Sequence, residues 1–165
     1  MKLHIDKFWT VDNPMECFEA NLATLQDAVA AGVTAETLPD TCMQAAAISL
    51  ALVSIDGSPV GQIWTYAEWS GFSSLGLSRE QGLSALAAGL ERIGRTDDAR
   101  AFQAATAEAG GTATDASGFP DGYTVLNARD EIADAMGELL LNEIEFVALA
   151  KDDLKEHWAG LARAD

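Results

Sequence analysis

The stretch Cys42-Met43-Gln44-Ala45-Ala46-Ala47-Ile48-Ser49-Leu50-Ala51-Leu52-Val53-Ser54-Ile55 decides the fold. It carries no charge, and its apolar side chains point in nearly every direction around a helix. Such a helix is stable in water only when other helices enclose it. Its small residues let those neighbours approach closely. Pro39-Asp40 marks its start and Asp56-Gly57-Ser58-Pro59 its stop. The expectation is an all-α, single-domain helical bundle over residues 1–165, with about five or six helices and a central apolar helix near residues 40–55.

The flanking segments supply the enclosing helices. Upstream, Asn13-Pro14-Met15-Glu16 reads as an N-cap, a first-turn proline and a capping-box acid. Met15, Phe18, Leu22, Leu25 and Val29 then form an apolar stripe, and Gly32 closes the helix. Residues 1–12 read only as a short arm, and Thr34–Leu38 as a turn. Downstream, Ser78-Arg79-Glu80-Gln81 repeats the capping-box pattern, Leu83, Leu86, Leu90 and Ile93 give the stripe, and Gly94 ends it. Thr96-Asp97-Asp98 opens a further helix running to Gly110-Gly111, and residues 110–125 read as a loop with a Pro120-Asp121-Gly122 turn.

From Asn127 to about Ala162 the pattern is helical again. Ile132, Met136, Leu140, Val147, Ala150, Leu154, Trp158 and Leu161 fall within about a third of a turn at ~100° per residue. Glu131, Asp134, Glu138, Glu145, Asp152 and Glu156 lie opposite. Leu141 and Leu149 intrude on the acidic side and Glu143 on the apolar side, which favours a kink or two helices with a break near Gly137–Asn142 over one rod.

Charge bounds the function. The chain has 26 Asp and Glu against 10 Lys and Arg, a formal net charge of −16. Phosphates need Lys and Arg to replace their counterions, so direct nucleic-acid binding is not expected. An anionic membrane surface is disfavoured for the same reason. No apolar run is long enough to span a bilayer, and Met1–Lys7 lacks a signal-peptide core, so the cytoplasm is the expected compartment.

Candidate chemistry is sparse. Cys17 and Cys42 read as buried free thiols, with a disulfide the minor alternative. His4 and His157 are the only histidines, and Asp153 with His157 is too little for a metal site. No glycine-framed serine elbow or phosphate loop is present. Glu68 or Glu143, if buried, could act as an acid or base, with a hydrogen-bonded structural acid as the plainer reading. No catalytic, cofactor-binding or metal-binding residue is assigned, and an enzyme is possible but unsupported.

Gly61-Gln62-Ile63-Trp64-Thr65-Tyr66-Ala67-Glu68-Trp69-Ser70-Gly71 gathers aromatics between two glycines. Trp64, Tyr66, Trp69 and Phe72 read as a buried corner between helices, and as a ligand or enzyme pocket in the alternative. This stretch, followed by Leu83, Leu86, Leu90, Ile93-Gly94 and Ala99, resembles the bacterial DNA-mimic protein family, small acidic helical proteins. The match covers about a quarter of the chain, residues 61–100. It departs from the family pattern at Gln62 and Glu68. The resemblance implies an all-helical fold and mimicry of DNA toward a basic DNA-binding protein.

The acid pattern suits that expectation. Between Phe8 and Ser78 there are eight acids and no Lys or Arg, and Asp130–Glu156 has nine acids against two lysines. Carboxylates three or four positions apart lie about 5–6 Å from one another on a helix, near enough to imitate a row of phosphates. The partner-binding residues expected are Glu131, Asp134, Glu138, Glu145, Asp152 and Glu156. A solvated, solubilising face is the plainer reading of the same pattern. A third possibility is a structural homodimer in which the C-terminal apolar stripe pairs with its copy.

Overall fold

The computed structural model describes residues 13–30, 32–55, 72–100, 103 and 128–150, with side chains through Val53 in the central helix and Glu143 in the last. These residues form α1 (Pro14–Ala30), α2 (Asp40–Ile55), α3 (Arg79–Arg92) and α4 (Arg129–Ala150), with 3₁₀ turns at Ala35–Thr37 and Phe72–Leu75. Residues 96–100 begin a further helix. The architecture is all-α, and there is no strand among the described residues. No helix among them is long and apolar enough to cross a membrane. The N-terminal arm, the aromatic stretch Gly61–Gly71, the loop 110–125 and everything after Ala150 lie outside the described residues.

Helix α2 is the central helix that its composition predicts. Thr41, Cys42, Met43, Ala45, Ala46, Ala47, Ile48, Ser49, Ala51 and Leu52 are all buried, and α1, α3, α4 and the Phe72–Leu75 turn all pack against it. Among its described apolar residues Val53 stands out, at 60% exposed. Ser49 Oγ donates to the Ala45 carbonyl at 3.0 Å, so the hydroxyl is satisfied without leaving its own helix.

The capping signals are realised. Asn13 Oδ1 accepts from the Glu16 amide at 3.3 Å at the start of α1. At α3 the full box forms: the Gln81 amide donates to Ser78 Oγ at 3.2 Å, and the Ser78 amide donates to Gln81 Oε1 at 2.9 Å. Both helices end in the same motif. After α1, Gly32 at φ +95° donates to Val29 O while Val33 reaches back to Ala28 O, each at 3.0 Å. After α3, Gly94 at φ +80° and Arg95 repeat the pattern on Glu91 and Leu90.

Two expectations change. On α1 the most buried residues are Cys17, Phe18, Asn21, Thr24, Leu25 and Ala28, while Met15, Leu22 and Val29 are only half-buried. At ~100° per residue the true core line is centred about 80° from the stripe of large apolar residues. The buried face of α1 therefore mixes small and polar side chains with Phe18 and Leu25. Thr24 satisfies itself on the Ala20 carbonyl at 2.8 Å, and Asn21 donates to the Cys42 carbonyl at 2.8 Å.

Second, α4 runs unbroken through Gly137–Asn142. Gly137 is a contact point and not a break: a Cβ there would run into the Pro14 carbonyl at the start of α1. Leu141 packs partly against the core, and Glu143 finds a cationic partner on α3. Ile132, Met136 and Leu140 are buried inside the bundle, so this half of the apolar stripe offers no surface to a second copy.

Replacing Gly137 by Ala separates packing from propensity. Helix propensity alone would raise stability by about 0.5–1 kcal/mol. The clash with Pro14 should instead lower it by about 1–3 kcal/mol. Urea denaturation of the Gly137→Ala chain reads the sign directly, and a stabilised variant would contradict this packing.

Candidate interaction surface

The surface starts from the register of α4. With Ile132, Ala133, Met136 and Leu140 fixed against the core, the opposite side of the helix has to face solvent. Glu131, Asp134 and Glu138 are all exposed there, three and four positions apart, and Asp130 is exposed beside them. Among the described residues none of these carboxylates has an ion-pair or hydrogen-bond partner, whereas Asp97, Asp98 and Glu143 are each paired with an arginine. Asp130 and Glu131 sit in the first turn of α4, where acids stabilise the positive helix end. Asp134 and Glu138 lie beyond that turn, so the helix dipole gives no reason for them.

The remaining expected contacts divide. Glu145 falls within α4, but its side chain lies outside the described residues, as do Asp152 and Glu156 altogether. Three of the six expected residues are thus brought onto one face. Exposed acids also occur elsewhere, at Glu16 and Glu19 of α1, Glu36, Asp40 of α2 and Glu80 and Glu91 of α3.

A polar junction joins α2, α3 and α4, and it was not foreseen. The Arg92 guanidinium donates to the buried Thr41 hydroxyl and, at 3.1 Å, to Glu143 Oε1. Arg92 and Glu143 are 40% and 36% exposed, so Glu143 is a clamped surface acid and not the buried acid–base candidate weighed above. A pair this open contributes about 0–1 kcal/mol. It links the end of α3 to α4. The sequence signal was the misfit itself, a glutamate on an apolar stripe facing an arginine at the end of α3.

The thiols lie in the interior beside this junction. Cys17 and Cys42 are free and buried. Burial pushes the Cys17 thiol from its ordinary value of 9.0 up to about 11. Burial raises Cys42 too, and the negative charges of Glu143 and Cys17 add to the effect. Both are therefore protonated and shielded, the opposite of a nucleophilic cysteine. No group of three or more metal-ligating side chains exists among the described residues. Of the aromatic cluster only Phe72 is described, and it is 1% exposed with its ring over Gly82 of α3.

No protein-family profile, no curated protein and no solved structure matches the chain.

The thiol environment predicts an alkaline limit to stability. A group whose pKa is raised on folding favours the native state below its unfolded value, and that advantage is lost as pH rises through the folded value. Stability should fall from about pH 9 toward pH 11 by roughly 2–3 kcal/mol for Cys17. Guanidinium titrations across that range, with Cys17→Ala as reference, check this. A wild-type curve no steeper than that of Cys17→Ala would refute it.

Proposed function

We propose that this protein is a non-catalytic interaction module whose α4 carboxylates engage the basic, nucleic-acid-binding face of a partner protein, as a mimic of DNA. The observation that carries this reading is the row Glu131, Asp134 and Glu138, exposed, unpaired among the described residues and held on a rigid helix. Neighbouring carboxylates at about 5–6 Å present charge at a spacing that a phosphate-binding surface can accept. The formal charge of −16 would accelerate encounter with such a partner through the long-range field. The likeness of residues 61–100 to DNA-mimic proteins supports the same choice. Glu145, Asp152 and Glu156 would extend the row if the helical pattern continues beyond Ala150.

The test couples salt, competition and substitution. A basic protein retained on the immobilised chain at low salt should elute as salt rises, and duplex DNA should displace it. The triple variant Glu131→Gln, Asp134→Asn, Glu138→Gln should weaken retention by about threefold to 150-fold, as expected for three exposed charge pairs of about 0.2–1 kcal/mol each. Retention that ignores salt, DNA and the triple variant would end the proposal. In that outcome the acids are a solubilising face.

A further inference from the structure

We draw no further inference here: the strongest candidate, the buried thiol pair Cys17 and Cys42 where α1 meets α2, is closed to solvent and nothing in the structure sets its two sulfurs at bonding distance.

Discussion

The structure depends on how closely other helices approach α2. Its sides are Ala45, Ala46, Ala47 and Ala51, which bury little area each and cannot hold a bundle through bulk. What they allow is short interaxial distance, so that many weak dispersion contacts accumulate. The neighbours are small where they meet it. On α1 the buried side chains include the small or polar Cys17, Asn21, Thr24 and Ala28, and on α3 a Cβ at Gly89 would stand 2.9 Å from Ile48 Cδ1 and 3.0 Å from Gln44 Cβ. Large side chains, among them Leu25, Leu52, Phe72 and Leu86, fill the spaces around these contacts. Asn21 then sets the depth of α1 by holding the Cys42 carbonyl.

That close interior leaves the charge problem to the surface. None of α1, α2 and α4 carries a basic residue in its last turn, so their negative ends are not complemented by side chains there. The arginines present are used sparingly and at joints. Arg92 ties α3 to α2 and α4, and Arg95 reaches Asp98 at 2.6 Å where the chain turns from α3 into the next helix. Self-repulsion among the remaining acids opposes compaction, and the apolar core has to outweigh it.

The sequence told most where the physics is local. Ser78 with Gln81, and Gly32 and Gly94 after their helices, are recognisable because caps act over three or four residues. Helix α2 was legible because a helix without a polar face has only one environment open to it. The contact face of α1 was not legible, because hydrophobicity marks where large side chains fit and not where two backbones come nearest. Asn21 and Thr24 look like surface residues until their partners, Cys42 and Ala20, are in place. The continuity of α4 was hidden for a similar reason: Gly137 resembles a breaker, and only Pro14 on another helix explains it. The acids Glu131, Asp134 and Glu138 were placed correctly because helical period alone puts them opposite Ile132, Met136 and Leu140. The deep Cys17 and Cys42 thiols were also read as buried from their apolar neighbours.

The exposure of the α4 carboxylates limits what they can attract. On α4 the carboxylates project from a convex helix, fully hydrated, so their influence is long-range, screened beyond about 8 Å at physiological ionic strength, and weak per contact. Such a surface suits a partner large enough to cover several charges at once and to exclude water between them. Any selectivity of such a surface would come from the row of charges and not from a single contact. The row itself follows from packing: Ile132, Met136 and Leu140 turn inward, which leaves Glu131, Asp134 and Glu138 on the solvent side of α4.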